Sequence, residues 1–447
     1  MFDKKYFFRL LWPVLIEQAL NTTIGIVNTM MVSGIGMDAI SAVSIVNSLN
    51  FIITNIFVSL ATGATVVVAT SIGAGNMDRA NRTAVQSIVI SVLTAAACGA
   101  ALIIFGGPAI GFLFGDAEEQ VKQYAGVYLV YSALSYPFLS AFSMASGVLR
   151  GSGNTRSPMR ISILANAVNV VVGALCIYLL KWGVSGAGVA LLLSRIASAL
   201  LIGLILYHND GVNIRKKAIK PEKAIIFPVL RIGVPTCVDG LVFNGGKLIV
   251  QIYITALGTA ALAANGIATP ITDLMNITGN SMSLVAVTIV GQSIGAGIYG
   301  KELRKTMKTL TGYTMLLLAG TILVMFPLMP LIVRLYSPPD DIKGMIYSVL
   351  YIVMAALPLL WPIGFVLPSC LRSTGDASFV TIVSVMSMWL VRVLGAWFTV
   401  RYTGWGLDGI WIFWCTDWLV RGIAFMIRTR YSPYINGKHL KEQPKNV

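Results

Sequence analysis

The sequence is dominated by apolar runs of twenty or more residues, which recur from one end of the chain to the other. A run of about 20 apolar residues is long enough to cross the hydrocarbon core of a bilayer as an α-helix. The strands of a membrane β-barrel would instead appear as short segments of alternating polarity. Only 11% of the residues are charged, against roughly 25% in a typical soluble domain. The runs therefore predict an all-α integral membrane protein that crosses the bilayer many times.

Twelve spans are predicted from these runs. Their approximate bounds in chain order are 10–33, 40–70, 84–114, 121–148, 158–180, 184–207, 225–256, 260–292, 305–335, 345–370, 377–401 and 407–428. No HExxH, Walker A or GxSxG pattern occurs, and no soluble segment is long enough to form a nucleotide-binding domain. We therefore expect neither an enzyme nor an ATP-driven pump.

The surplus of basic residues is explained by membrane topology. The chain has 33 Lys and Arg against 18 Asp and Glu. With the amino terminus placed inside, 24 basic residues fall in inner loops and tails, and only 5 fall in outer loops. Because positively charged loops remain on the cytoplasmic side, we predict a multi-pass protein of the cell (inner) membrane with both termini in the cytoplasm. The bilayer is then the partner that explains the net charge of +15, and a nucleic acid is not needed.

A short motif occurs twice at the ends of apolar runs. SIGAGN occupies 71–76 and SIGAGI occupies 293–298, so the second copy is shifted by 222 in the numbering. The same offset relates further pairs: Pro13 and Pro235, Glu17 and Asp239, Gly36 and Gly258, Arg150 and Arg372, and Gly153 and Gly375. A constant offset across four helices predicts an internal duplication. We interpret the glycines of the motif as helix ends and not as a phosphate-binding loop.

The duplication predicts the domain organisation. An N-terminal six-helix lobe is expected at 1–207, a basic cytoplasmic linker at 208–224, and a C-terminal six-helix lobe with a short cytoplasmic tail at 225–447. Because six is even, the two copies cross the membrane in the same sense. They should be related by an axis along the membrane normal, with the substrate path between them.

This organisation and several motifs resemble the multidrug and toxic compound extrusion (MATE) family. The motifs are WPVLIEQ at 12–18, VNTMMVSGIG at 27–36, ATGATVVVATSIGAGN at 61–76, LRGSGNTRSPMRISILANAVN at 149–169, and GVPTCVDG with GGKLIVQ in helix 7. The resemblance covers nearly the whole chain. It implies a V-shaped pair of lobes that exports organic, mostly cationic compounds in exchange for protons or sodium ions. It also implies a multidrug transporter that works as a monomer and needs no cofactor beyond the transported ion.

The sequence departs from the family pattern at the acids associated with coupling. Helix 1 of the family usually reads VDT, whereas Asn28 replaces the aspartate here. Gly173 stands where one branch has an aspartate in helix 5, and the span 345–370 lacks the acid of another branch. Neither coupling assignment therefore transfers directly. The chain resembles instead a branch with Glu17 in helix 1 and Asp239 in helix 7.

The acids inside the spans are the candidate ion-coupling groups. Because a charge at the bilayer centre costs about 2.5–3.5 kcal/mol, each one needs a reason. Glu17 shares one face of helix 1 with Asn21 and Asn28, within about 40°. A carboxylate in a partly dry site can exchange a proton, and Glu17 with Asn28 could instead hold sodium. A structural anchor is the alternative for Glu17. The predicted coupling set is Glu17, Asp239, Asn28 and Asp273.

Helices 7 and 8 contain two of these acids. Asp239 and Lys247 lie two turns apart in helix 7 and could form either a switchable or a static ion pair. Asp273 follows Pro270 in helix 8, where the proline frees a backbone carbonyl. A carbonyl beside a carboxylate suits a cation, and it equally suits a kink in the helix.

The remaining embedded charges are predicted to be structural. Asp417 and Arg421 have the i, i+4 spacing of an intrahelical salt bridge. Arg392 in helix 11 could also pair with Asp417. Arg195 in helix 6 has no acid in its half of the chain except Glu17, so we expect those two to pair.

A further set of polar and aromatic side chains is predicted to line the substrate cavity. The set is Asn21, Asn166, Asn169, Lys247, Tyr136 and Trp361. Aromatic rings can hold organic cations through cation–π contacts. The alternatives are that the asparagines join helices by hydrogen bonds and that the rings anchor the interface.

The leading functional hypothesis is a proton- or sodium-coupled antiporter that exports organic cations by alternating access. The alternative is a lipid-linked oligosaccharide flippase of the same superfamily. Such flippases normally have more spans and a more cationic central cavity, and this chain has only four embedded basic residues. A membrane scaffold or receptor that transports nothing would leave the embedded acids unexplained.

Overall fold

The computed structural model describes residues 3–113, 118–208, 211–214 and 221–436. This part of the chain is helical and contains no strand. Twelve of its helices are long and apolar enough to cross a membrane, as predicted. They are α1 (Lys4–Ser33), α2 (Met37–Gly73), α3 (Met77–Leu113), α4 (Glu119–Gly151), α5 (Arg156–Leu179), α6 (Gly183–His208), α7 (Lys223–Ala256), α8 (Thr259–Gly295), α9 (Gly300–Leu335), α10 (Asp340–Ser373), α11 (Ala377–Tyr402) and α12 (Gly406–Tyr431).

Several helices begin before the apolar run that predicted them. The run for α3 starts at 84, but the helix itself starts at Met77. The side chain of Asn76 accepts a hydrogen bond from the Arg79 amide at 2.9 Å and so caps the helix. Asp78 in the first turn favours the same helix end through the helix dipole. A capped polar turn extends the helix beyond the part that hydropathy detects.

The internal repeat is visible in the backbone. Four pairs of glycines have positive φ and follow the offset of the repeat, with one further position of shift in the last pair: Gly36 and Gly258, Gly75 and Gly297, Gly153 and Gly375, and Gly183 and Gly406. Within the SIGAG motifs φ is 73° at Gly75 and 79° at Gly297. The Asn76 amide donates to the Ser71 carbonyl at 2.8 Å, and the Ile298 amide donates to the Ser293 carbonyl at 3.0 Å. These are Schellman-type helix ends, so the interpretation of the motif's glycines as helix ends is confirmed.

Helices α2 and α4 pack through small residues in the N-terminal half. A side chain at Gly147 would place its Cβ 2.8 Å from the Ala61 carbonyl oxygen, and one at Gly151 would lie 2.7 Å from the Thr65 carbonyl oxygen. The Thr65 hydroxyl donates to the Gly147 carbonyl at 2.9 Å. Close backbone approach at small residues is the usual way in which membrane helices associate. It fixes the end of α4, which carries Arg150.

Three helices contain a stretch of wider, π-type turns. These stretches are Leu175–Leu179 in α5, Pro362–Val366 in α10 and Met388–Val393 in α11. Such turns shift the side chains that follow around the helix axis and are frequent at functional sites. The stretch in α10 carries Phe365 and the one in α11 carries Arg392, and both residues belong to the site described below.

The contacts divide the chain into two compact units. One unit is Phe8–Val234, and the other combines Met1–Phe7 with Pro235–Val447. In the second unit, the Tyr6 hydroxyl donates to Gln292 at 3.0 Å, and the ring of Phe7 lies 5.2 Å from that of Tyr313. The lobe boundaries predicted at 207 and 225 stay a prediction.

Candidate functional site

The acid predicted in helix 1 is held by an arginine at the end of α4. Glu17 is buried, and its Oε1 accepts a hydrogen bond from Arg150 Nη1 at 3.0 Å. The other carboxylate oxygen, Oε2, is buried and has no hydrogen-bond partner among the described residues. Only 11% of the arginine side chain is exposed. A buried carboxylate with one oxygen paired and one free can still take up a proton or another donor.

The C-terminal half repeats this ion pair. Asp239 in α7 accepts from Arg372 Nη2 in α10 at 2.5 Å. The two members of each pair stand 133 apart in the numbering. The offset of the repeat relates Glu17 to Asp239 and Arg150 to Arg372. Each copy of the repeat therefore has an acid and an arginine at equivalent positions, and the two form an ion pair in both copies.

Two expected pairings are wrong. Lys247 does not bind Asp239, because that carboxylate is held by Arg372, and Lys247 lies two turns further along α7. Arg195 does not bind Glu17. Its Nη1 donates instead to the Ser135 hydroxyl at 2.6 Å, within the helical core of the N-terminal half.

The sodium site suggested for Glu17 with Asn28 is excluded by helix geometry. Both residues lie on the uninterrupted helix α1, eleven positions apart. At about 1.5 Å of rise per residue they are separated by roughly 16 Å, far more than two ligands of one ion can be. Asn21 is one turn from Glu17, but its side chain is exposed. Over the described ranges, no group of three or more His, Cys, Asp or Glu side chains could hold a metal ion.

Asp417 is the centre of a buried charge network in the C-terminal half. Its carboxylate accepts from Arg392 Nη2 at 2.5 Å and from Arg421 Nη2 at 2.6 Å. The Ser387 hydroxyl adds a third bond at 2.6 Å. The side chains of Asp417 and Arg392 are fully buried. The geometry is that of a structural ion cluster, in which the acid is already saturated with donors.

Beside this cluster lies a cavity of about 140 Å³ with aromatic walls. We call it the aromatic cavity. Its lining comes from α7, α8, α10 and α12: Phe243, Lys247, Thr269, Thr272, Asp273, Asn276, Asn280, Trp361, Phe365, Trp411, Trp414 and Trp418. Trp361 stacks on Phe365 with ring centroids 4.8 Å apart, and Trp411 stacks on Trp414 at 4.7 Å. The cavity thus brings together three of the predicted residues, Lys247, Asp273 and Trp361.

Protein cations already lie over the rings of this cavity. Lys247 Nζ is 5.3 Å from the centroid of Phe243 and 5.8 Å from that of Trp414. The Arg392 guanidinium is 4.8 Å and 4.3 Å from the same two rings. Arg421 lies 5.1 Å from Phe365. These distances are within the range of cation–π attraction, so the chain's own cations already lie over Phe243, Trp414 and Phe365.

Three residues singled out from the sequence in the N-terminal half border a much smaller space. Asn28, Asn169 and Gly173 line a cavity of about 10 Å³, which has room for about one water molecule. Asn169 donates to the Ser194 hydroxyl at 3.5 Å. Asn166 is directed elsewhere, to the Leu20 carbonyl at 3.5 Å. Within this half, these residues do not enclose a space that fits an organic molecule.

Tyr136 is packed in the core of the N-terminal half. It is fully buried, and its hydroxyl donates to Asn50 at 2.8 Å. Asn50 in turn donates to Ser132 at 3.2 Å. This closed hydrogen-bond network does not favour the predicted role of Tyr136 in lining a substrate cavity.

Sequence reasoning missed the arginines of the repeated pairs and most of the aromatic wall. Arg150 and Arg372 had been counted with the inner loops, although the offset of the repeat already related them to each other. Trp411, Trp414 and Trp418 are spaced i, i+3 and i+7 on α12, which places them on one helix face. Both signals were present in the sequence.

Comparison with known proteins agrees with this architecture. The family model MatE matches the chain twice, over residues 13–175 and 235–398, and the two starts differ by the offset of the repeat. The probable multidrug resistance protein NorM of Thermotoga maritima is 27% identical over 94% of this chain and 90% of that protein. The uncharacterized transporter YisQ of Bacillus subtilis is 26% identical over 96% of this chain and 94% of that protein.

A crystal structure of MATE in complex with MaL6 has the same fold. It matches with a TM-score of 0.88 at 24% sequence identity and covers 96% of this chain and 97% of that one. The two family-model matches together span well over half of the chain, one in each copy of the repeat. The chain therefore belongs to the MATE family of membrane transporters.

Proposed function

We propose that this transporter is an ion-coupled antiporter that exports organic compounds across the cytoplasmic membrane by alternating access, with both termini in the cytoplasm. The observation that carries the proposal is the repeated acid–arginine pair. Embedding a carboxylate is costly, so two of them at equivalent places in the duplicated unit favour a functional role. The name of the Thermotoga relative, a probable multidrug resistance protein, supports the export of drug-like compounds.

Glu17 is the proposed coupling group, with Asp239 as its counterpart. Glu17 Oε2 is buried and unpaired among the described residues, while Oε1 is held by Arg150. A proton needs a single free oxygen, whereas hard metal cations are bound by several oxygen ligands. We therefore favour protons over sodium. Asn28 and Asp273 have no part in this proposed step, since Asn28 is roughly 16 Å along the helix from Glu17 and Asp273 lines the aromatic cavity.

Protonation would act through the contact between α1 and the end of α4. A neutral Glu17 no longer attracts the Arg150 guanidinium as a carboxylate does, so the link between the two helices weakens. One lobe arrangement is then favoured by the proton and the other by the substrate. Each ligand shifts the equilibrium only by its differential affinity for the two states.

The proposal is tested by efflux from proteoliposomes. Purified protein is reconstituted, and the movement of ethidium and a panel of neutral and acidic aromatic compounds is followed under a pH gradient alone and a sodium gradient alone. We expect the pH gradient to drive transport and Glu17→Gln to abolish it. A matched control is Glu119→Gln, because that acid is largely exposed at the start of α4.

The other outcomes are equally informative. Transport driven only by sodium would contradict the proposed proton coupling. Undiminished pH-driven transport in Glu17→Gln would remove this residue from the mechanism. If neither gradient moves any compound of the panel, the antiporter proposal falls and the lipid-linked flippase becomes the hypothesis to test.

A further inference from the structure

Buried hydrogen-bond donors in and behind the wall of the aromatic cavity lack acceptors among the described residues. Trp418 is 2% exposed, and its indole Nε1–H has no acceptor among the described residues. Nε and Nη1 of Arg392, behind the rings of Phe243 and Trp414, are likewise buried and unpaired within that part of the chain. Buried donors of this kind are normally satisfied, because leaving one unpaired costs about 1–3 kcal/mol. The unpaired indole in the wall points to a ligand that supplies an acceptor.

The charged groups at and behind the cavity wall also favour an anionic ligand. Lys247 and Asp273 line the cavity, and Arg392, Arg421 and Asp417 lie behind its aromatic wall. Asp417 is saturated by two guanidinium groups and a hydroxyl, so it offers nothing to a ligand. Formally these five groups together carry one positive charge in excess, which comes from the cluster behind the wall. An added cation would meet this excess, whereas an anion would be attracted.

The side-chain acceptors in the cavity wall are the Asp273 carboxylate, the Asn276 and Asn280 amide oxygens, and the Thr269 and Thr272 hydroxyls. The Asp273 carboxylate and the Lys247 ammonium attract each other, and Asn276 Oδ1 is buried without a donor among the described residues. Among the described residues, none of these oxygens pairs with the Trp418 indole or with Nε and Nη1 of Arg392. A ligand with a strong acceptor group would supply the partner that the indole lacks.

The cavity is not a general consequence of the fold. Thr272 in its wall is related by the offset of the repeat to Asn50 in the N-terminal copy. There the space is closed, because Asn50, Ser132 and Tyr136 form a hydrogen-bonded core. The C-terminal copy has kept an open, aromatic version of the same place. Its volume of about 140 Å³ is close to that of cavities which accept one benzene ring.

We propose that the aromatic cavity binds single-ring aromatic carboxylates, with the ring between the tryptophans and the carboxylate on Lys247 and the Trp418 indole. This rests on the proposed transport function and deepens it, because it names the class of compound that the C-terminal lobe recognises. The class is the opposite in charge to the organic cations that the sequence resemblance implies.

Three ligands that share one ring and differ in charge test the proposal. Benzoate, benzamide and phenyltrimethylammonium are titrated into the purified full-length protein, and binding is followed by tryptophan fluorescence and calorimetry. Benzoate should bind most tightly and phenyltrimethylammonium least. Lys247→Gln should weaken benzoate roughly tenfold or more, as expected for loss of a hydrogen bond to a charged group, and should change benzamide little. Trp418→Phe, which keeps the ring and removes the donor, should also weaken benzoate.

The ligand series on the unmodified protein decides the matter without any variant. Phenyltrimethylammonium binding as tightly as benzoate, or no benzoate binding at millimolar concentration, would overturn the proposal. Lys122→Gln, a change in α4 of the other compact unit, serves as the control and should leave all three affinities unchanged. Because binding is measured without a gradient, failure of ion coupling and failure of this ligand assignment are separate results.

Discussion

Replacing Asp417 by Asn should destabilise the C-terminal half more than any other single isosteric change. The carboxylate is fully buried and holds Arg392 and Arg421, each through short contacts of 2.5–2.6 Å. Asparagine keeps the shape but loses the charge, and its amide N–H₂ would face guanidinium donors. Removing one partner of a buried ion pair costs about 3–5 kcal/mol, because the other charge remains buried and uncompensated.

This free energy translates into a measurable thermal shift. For a unit of about 200 residues, 1 kcal/mol moves the melting temperature by roughly 2–4 °C. The expected loss is therefore about 10 °C, measured by fluorescence-detected gel filtration after heating in detergent. Asp340→Asn is the control, since the Asp340 side chain is 94% exposed and forms its ion pair with Lys343 at the surface. A loss below about 2 °C for Asp417→Asn would refute the idea that this acid neutralises the two arginines.

Other predictions test the packing, the turns and the repeated ion pair. Gly147→Val should sharply reduce the yield of monodisperse protein, because a Cβ there would lie 2.8 Å from a carbonyl oxygen of α2, whereas Gly25→Ala, with nothing within 4 Å, should be tolerated. Gly153→Ala should cost about 1–2 kcal/mol, because φ is 85° at this position, and a thermal melt would detect the loss. A double-mutant cycle of Glu17→Gln and Arg150→Gln should give a coupling energy of roughly 1–3 kcal/mol in thermal stability, and additive effects would contradict their pairing.

The helical architecture was predictable because hydropathy and turn glycines are local signals. The twelve apolar runs identified the twelve long helices of the described chain, and errors concerned polar end turns such as the one before 84 in α3. The duplication was visible because glycines with positive φ cannot easily be replaced, so Gly75 and Gly297 kept the same offset. Both features depend on neighbours in the sequence and not on the packing of distant helices.

The pairing of side chains was less predictable because it depends on helix rotation and on the reach of long side chains. Arg150 lies at the end of α4, in what hydropathy assigns to a loop, yet its side chain reaches the buried Glu17 of α1. Asp239 and Lys247 are on the same helix, but the neighbouring α10 supplied the closer partner, Arg372. The aromatic cavity requires four helices to bring their walls together, which no local pattern specifies.

The organic-cation substrate class is the expectation that the site supports least. It came from the family resemblance alone. Phe243, Trp414 and Phe365 each already have a protein cation over the ring. The charged groups at and behind the cavity wall also sum to an excess of positive charge, which disfavours a further cation.

The most direct test of ion coupling is to measure the ion that moves when substrate moves. Proteoliposomes without any gradient receive a pulse of a transported compound, and internal pH and internal sodium are recorded with separate dyes. The account predicts that substrate movement drives protons in the opposite direction in the unmodified protein and that this proton movement disappears in Glu17→Gln. Substrate movement with no change in internal pH, or a proton signal that persists in Glu17→Gln, would contradict it.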